Sequence, residues 1–374
     1  MSVSYIPERI KLILWGKAAG RCEYRGCQEV LYRDDTTKVE FNKAYIAHIV
    51  ADKSTGPRGD KIRSNLLKDK LCNLMLLCDK HHRLIDIVDI NGHPEELLLE
   101  MKEEHERRMM LITGIKEEMK SHIIIYKANI GKNYPNLTFQ YLSKYLLPKH
   151  YPANDYALDL SLINSVQRDQ KDSYWLNQEE NLQEQFDEQI KPLLKKNRIN
   201  HLSIFAFAPM PLLIKLGVLF NDIVEAEIYQ PRRNPKTWRL SESGQSVNYL
   251  IQYPSQINNK VALNISLSAT INNERIIKVL GSDCSIYTIT IEKPFNDFLQ
   301  NKNSLKEFSE RIRLLLDNIK EQYDSETLLN VFPAMPIATA IEFGRVWMPK
   351  ADMPLVIYEE NRNRMGFFKT IKIC

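Results

Sequence analysis

No stretch of the chain approaches the roughly 20 consecutive apolar residues that a membrane-spanning helix needs, so no membrane partner is expected. The opening residues, MSVSYIPERIKLILWGKAAG, carry charges where a secretory signal requires an apolar segment, which predicts a cytoplasmic protein. A strong charge of one sign is also missing. The 51 basic residues face 47 acidic ones, and a net charge of +4 is too mild to identify a nucleic-acid partner. Cysteine is scarce, six in 374 residues, and in a reducing compartment clustered cysteines indicate metal binding or catalysis before disulfides. The last two thirds of the chain lack a nucleophile beside a base: His122, His150 and His201 look scattered, and none lies beside a proline motif. A second reaction centre there is not expected.

What is present is unevenly spread. Hydrophobic residues make up 44% and charged residues 26%, ordinary for a soluble globular protein, and 374 residues exceed what one core usually serves. Cys22, Cys27, Cys72 and Cys78 fall in the first 80 residues, and His48, His81, His82, His93 and His105 in the first third; only Cys284 and Cys374 come later. That asymmetry predicts a small metal-dependent module over 1–115. A connecting helix is expected at about 94–119, where PEELLLEMKEEHERRMMLITGIKEEM repeats apolar positions at helical spacing. HIIIYKANI (122–130) reads as the buried strand that opens a second domain, 121–374. Within it AFAPMP (206–211) has a counterpart in VFPAMP (331–336), each followed by a helical stretch ending near Gly217 or Gly344 and then by an apolar run. Strand, proline turn, helix, strand is the unit of a parallel α/β sheet, and two units predict two similar sub-domains with a cleft where strand ends meet helix starts.

The densest chemistry lies in LCNLMLLCDKHHRLID (71–86). Cys22-x4-Cys27 and Cys78-x2-His81 are two half-sites with the spacing of tight metal-binding turns, and Cys22, Cys27, Cys78 and His81 would make a closed, structural Zn2+ site. Cys72 reads as buried and non-ligating. The remaining residues, His48 in YIAHIVADKSTGPRG, then Asn73, His82 and Asp86, resemble the HNH nuclease family over roughly 15–90. The resemblance implies a ββα-metal module. His48 would be the general base; with an ordinary pKa of about 6.5, an imidazole can take a proton from water near neutrality. Asn73 would orient the backbone around it, and His82 would hold a catalytic Mg2+ or Mn2+. Many members carry an aspartate where this chain has Ala47. Asp86, one helical turn after His82, is a candidate replacement ligand, or an ordinary helix carboxylate. His81 and His82 would exchange parts if the turn were shifted by one residue. Between Lys53 and Lys70, six basic residues face only Asp60 and Asp69, and Lys53 and Arg58 are candidate contacts to DNA phosphates.

Residues 121–374 resemble a SAVED domain, a sensor of two fused CARF-like, Rossmann-type α/β halves; the carriers are FAFAPMPLLIKLGVLF, AEIYQPRRNPKTWRL and LLNVFPAMPIATAIEFGRVWMPKADMPLVIYEEN. The expected fold class is thus α+β and α/β. HNH joined to SAVED is the arrangement of a bacterial anti-phage (CBASS) effector. The resemblance implies a cyclic di- or trinucleotide activator, a homo-oligomer on activation and double-stranded DNA as substrate. Bases and phosphates call for aromatic faces and cations, and YQPRRNPKTWR interleaves Tyr229, Arg232, Arg233, Lys236, Trp238 and Arg239; Pro209 at its strand-to-helix turn and Arg345 complete the expected pocket. Met210 and Met335 read as core filler. The competing readings are a zinc-containing DNA-binding regulator with a small-molecule sensor, a restriction-type nuclease free of any messenger, and a messenger-degrading enzyme.

Overall fold

A computed structural model describes residues 5–132, 135–162, 165–221, 224–361 and 366–374. The chain divides into two units, Met1–Lys116 and Glu117–Cys374.

In the first unit, helix α1 (Glu8–Ala18) leads to a long irregular stretch, strand β1 (Ala44–His48), short helix α2 (Arg63–Leu67), strand β2 (Leu74–Cys78), short helix α3 (Asp79–Arg83) and helix α4 (Glu95–Thr113). The two strands pair antiparallel, with Ala44 opposite Cys78 and His48 opposite Leu74. All five residues of β2 are buried; Leu14, Ala18, Ala47, Ile49, Ile85 and Leu98 pack around them. Continuous apolar character makes β2 the centre of this small core. Helix α4 ends at Thr113, earlier than the sequence pattern suggests. Gly114 follows it, and its amide donates to the Met110 carbonyl as the chain turns away.

The second unit begins with strand β3 (Lys120–Lys127) and continues through α5 (Phe139–Leu142), β4 (Tyr151–Pro152), β5 (Leu158–Asp159), α6 (Asp172–Gln185), α7 (Lys191–Lys195), β6 (His201–Phe207), α8 (Met210–Phe220) and β7 (Glu225–Tyr229). These strands form a parallel sheet in the order β4-β3-β6-β7, with β5 also on β3. Then come β8 (Tyr249–Gln252), β9 (Lys260–Ser266), α9 (Asn273–Leu280), β10 (Cys284–Ile291), α10 (Lys302–Lys320), β11 (Leu329–Ala334), α11 (Ile337–Val346), β12 (Leu355–Asn361) and β13 (Gly366–Ile373). They form a second sheet, β13-β12-β11-β9-β10-β8, with four parallel central strands and an antiparallel strand at each edge.

The repeat is β6-α8-β7 against β11-α11-β12. Its register differs from the one that AFAPMP and VFPAMP suggest: Pro209 and Pro336 precede the two helices, so the matching prolines are two positions out of step with the matching words. Helices α8 and α11 cross at a contact only glycine permits. A Cβ on Gly217 would lie 2.0 Å from the Ile341 carbonyl oxygen, and one on Gly344 2.1 Å from the Ile214 carbonyl oxygen. The reciprocity marks a local two-fold axis through the glycine pair. Neither proline offers a side-chain cap, and each helix start finds its polar partner in the other half. The Gln230 side chain accepts from the Ala338 amide at 2.9 Å, and Glu359 lies against the Met210 amide. Burial pushes the Glu359 carboxyl up to about 8.

Candidate functional site

CEYRGC (22–27) folds into a tight turn because Gly26 takes φ +81°, which lets the Cys27 amide reach the Tyr24 carbonyl at 2.9 Å. Cys78 ends β2 and precedes α3, whose first turn carries His81. The donor atoms of Cys22, Cys27, Cys78 and His81 all lie within 4.8 Å of one another. Nδ1 of His81 sits 3.1 Å from Cys78 Sγ and 3.6 Å from Cys22 Sγ. Its ring stacks on Tyr24 at 4.1 Å, and Tyr24 in turn bonds His93 Nε2 at 3.0 Å. Burial pushes the Cys22 thiol up, so a thiolate there needs a cation beside it. Three sulfurs and one imidazole in a closed set suit Zn2+.

His48 closes β1. Its Nε2 lies 2.8 Å from the Lys68 carbonyl oxygen, which only accepts; Nε2 therefore carries the hydrogen, and Nδ1 keeps a lone pair. Asn73 is buried and grips Val50 from both sides: its Oδ1 accepts from the Val50 amide at 2.8 Å and its Nδ2 donates to the Val50 carbonyl at 2.9 Å. The Asn73 carbonyl also accepts from the Ile49 amide. His82 stacks on Tyr45 at 4.8 Å and faces Asp86, Nε2 to Oδ2 3.5 Å. The two neighbouring histidines thus point to separate tasks, His81 toward the sulfurs and His82 toward Asp86.

Two expectations in this unit, for Arg58 and Cys72, need correction. Arg58 is not a surface contact for phosphate: its side chain is 8% exposed, and it donates to the carbonyls of Ile49 and Ile85 and to Asp86 Oδ1 at 2.6 Å. A buried guanidinium here ties the end of β1 to the segment after α3. His82 and Asp86 do meet, but no third histidine, cysteine or carboxylate joins them among the described residues. Cys72, read as buried, is exposed. Lys53 is exposed, as a phosphate contact must be.

In the second unit a cleft of about 560 Å3 opens at the carboxyl edge of the first sheet, lined among others by Tyr141, Phe207, Arg232, Lys236 and Trp238. The loop after β7 forms one wall, closed by a 2.8 Å bond from the Arg232 amide to the Thr237 carbonyl. The Arg232 Nε is enclosed without a partner. Arg232, Lys236 and Trp238 therefore come together as expected residues of one pocket, while four others do not. Tyr229 is buried and stacks on Phe205 at 4.1 Å. Arg239 props the turn after α5, donating to the carbonyls of Lys144, Tyr145 and Leu147. Pro209 is buried before α8. Arg345, near the end of α11, reaches the Val224 carbonyl just before β7 and so sits at the opposite edge of the sheet. The cleft lies within the first half rather than between halves.

Sequence reading also missed buried polar groups. Glu23 accepts from the Leu76 amide at 2.6 Å with Lys102 Nζ 3.8 Å away, tying the cysteine turn to β2 and α4. A charged residue beside Cys22 gave no signal of burial. His150 and His201, far apart in the chain, stack at 3.8 Å. Tyr141 escaped notice for the same reason.

The family scan matches residues 182–373, just over half of the chain, to the sensor domain described as SMODS-associated and fused to various effectors, SAVED. The repeated parallel α/β unit is thus a sensor domain. This chain belongs to the SAVED family. Among curated proteins none matches. Solved structures similar to it include the Acinetobacter baumannii Cap4 SAVED/CARF-domain receptor with 2'3'3'-cAAA (13% identity, TM-score 0.43, 83% of this chain and 59% of that one). The same receptor with 3'3'3'-cAAA aligns at 14% identity and TM-score 0.45, covering 78% and 66%. The Moraxella osloensis Cap4 receptor aligns at 13% and 0.42, covering 75% and 58%. This chain spans less than two thirds of each receptor's length, and family membership rests on the family match alone. No helix among the described residues is long and apolar enough to cross a membrane.

Proposed function

We propose that this SAVED protein is a DNA endonuclease of HNH type, switched on by a cyclic oligonucleotide. The observation that carries the nuclease reading is the pairing of His48 and Asn73. Asn73 holds the backbone two residues beyond His48 through three-point contact with Val50 and Ile49, while the Lys68 carbonyl ties up Nε2. The tautomer so imposed leaves Nδ1 to accept a proton from water attacking a phosphodiester. Cys22, Cys27, Cys78 and His81 would hold a structural Zn2+ that keeps the start of α3 in place, and with it His82. A catalytic Mg2+ or Mn2+ would be held by His82 and Asp86 with water completing its shell, and would neutralise charge on the phosphate. Arg58 competes for Asp86 and orients that carboxylate. Lys53 and the neighbouring exposed cations would meet the DNA backbone.

For the sensor, the cleft offers Tyr141 as aromatic surface, with the largely buried Trp238 in its wall, and Arg232 and Lys236 as cations, the chemistry that bases and bridging phosphates require. Its volume falls in the range of small-molecule sites. A messenger bound there acts only if it favours one state of the protein over another, and assembly of several chains is the state proposed. Plasmid digestion with Mg2+ across a panel of cyclic di- and trinucleotides tests the whole reading, with mass measured alongside. Cleavage and a rise in mass are expected with one panel member alone. Intact plasmid with every ligand favours a DNA-binding regulator, a reading that the two-donor set at His82 and Asp86 supports.

A further inference from the structure

We propose that His150, His201 and Glu227 form a transition-metal site of the zinc type in the SAVED unit, separate from both the cysteine cluster and the cleft. One donor atom from each lies within 4.8 Å of the others, the only such group among the described residues besides the cysteine set. The place is the amino-terminal edge of the first sheet: His150 directly precedes β4, His201 opens β6 and Glu227 sits in β7. The cleft occupies the opposite edge.

His150 supplies the independent sign. The residue is 9% exposed and both ring nitrogens are buried, yet they have only poorly aligned polar neighbours, the Met119 backbone and, 3.9 Å from Nε2, Glu227 Oε2. A buried imidazole so weakly satisfied is costly, and a metal ion removes that cost. His201 shows the complementary arrangement. Its Nδ1 bonds the Ser121 hydroxyl at 2.8 Å, which contacts Ser203 at 2.7 Å, as a metal-binding histidine is usually braced through its other nitrogen. Two histidines and one carboxylate leave a fourth tetrahedral position open.

The charges around the group shape how an ion would enter. Lys302 Nζ lies 2.7 Å from Glu227 Oε1, and Lys149 Nζ 3.1 Å from Oε2, the oxygen that faces His150 at 3.9 Å. Lys149 is half exposed and swings away at little cost; Lys302 stays on the other oxygen. The rings stack with 16° between their planes, and to share one ion at about 2.1 Å they must turn so that their nitrogen lone pairs converge. Because Lys302 begins α10 of the second half, an ion here would link three strand ends of the first half to that helix.

The test uses the full chain, stripped with chelator and equilibrated with Zn2+ alone, with bound metal counted by elemental analysis. H150A is expected to hold one equivalent fewer than the unsubstituted protein, whatever the total, and K149A to bind more tightly by several-fold. Equal metal content in H150A and the parent overturns the proposal. Co2+ titration of the parent provides a measurement independent of that variant's folding. Thiolate charge-transfer bands report the cysteine cluster, and a further equivalent that adds visible d–d absorption without such bands reports the histidine site. Absorbance that saturates with thiolate bands alone also overturns it, and loss of those bands by itself would count against the cysteine cluster and not against this site.

Discussion

The two halves of the SAVED unit carry the same aromatic triplet and use it differently. In the first, Phe205 stacks on Tyr229 at 4.1 Å and meets the edge of Trp238 at 5.6 Å. In the second, Phe332 stacks on Tyr358 at 4.4 Å and meets the edge of Phe367 at 5.1 Å. Around Trp238 the loop stands away and leaves a cleft with Arg232 and Lys236. Phe367 instead lies under Arg275, 4.8 Å from its ring, and Arg275 is engaged by Glu360 at 2.7 Å. Polar groups fill the strand ends nearby, where Asn264 bonds Ser266, Asn273 and the Ile271 carbonyl. One copy of the repeat is open at its carboxyl edge, and the other is closed by its own side chains. The scaffold occurs twice, and the loop after β7 leaves a cleft in the first copy.

The sharpest way to break the comparison is at the two-fold itself. Gly217→Ala or Gly344→Ala places a methyl group about 2 Å from a carbonyl oxygen of the facing helix, which backbone movement must relieve. Each should cost about 3 kcal/mol or more and lower the midpoint of thermal unfolding by about 10 °C. Unfolding at the parent temperature would mean the helices do not cross there. In the first unit, the proposed role of His48 predicts that His48→Ala reduces plasmid cleavage by roughly 100- to 10,000-fold while zinc content and the circular dichroism spectrum stay unchanged; full activity removes His48 as the base. Trp238→Ala and Phe367→Ala test the open copy against the closed one. The first should weaken cyclic-oligonucleotide binding by about 10- to 100-fold, and the second should lower thermal stability and leave affinity alone, both read by calorimetry. Equal loss of affinity in the two variants would end the distinction.

The smallest effect is a pH dependence. The Glu359 carboxyl is raised from 4.5 to about 8, so the folded chain holds a proton that the unfolded chain gives up. Its contribution to stability is complete below about pH 4.5 and fades as pH rises through 8. Glu359→Gln keeps a carbonyl near the Met210 amide without the charge. It should melt a few degrees above the parent at pH 9 and close to it at pH 5. A variant that melts lower at both would show that the carboxylate form is the one the fold prefers.

The candidate nuclease residues were legible because their spacing is short and chemically rare. Cys22-x4-Cys27 and Cys78-x2-His81 each occupy one turn, and a turn of chain is something a sequence describes directly. Asn73 beside His48 was less direct: only the pairing of β1 with β2 puts them together, and the family resemblance stood in for that pairing. Arg58 shows the limit. Its neighbours Lys53 and Lys61 are exposed, and composition could not reveal that this one arginine folds inward onto Asp86. In the sensor, Trp238, Arg232 and Lys236 were found because they share one loop. Arg239 and Tyr229 belong to the same words but face the α5 turn and the core.

By itself, the sequence determined where strands and helices recur and that the cysteines and His81 fall at two short spacings, since each depends on periodicity or spacing over a few residues. Tertiary structure alone decided which copy of the repeat is open, which arginine is buried, and that His150 meets His201. Those outcomes depend on contacts between residues well separated in the chain, 28 positions for Arg58 and Asp86 and farther for the others. Burial, the quantity that sets what a charged or imidazole group does there, is a property of the packed chain and not of any short stretch of it.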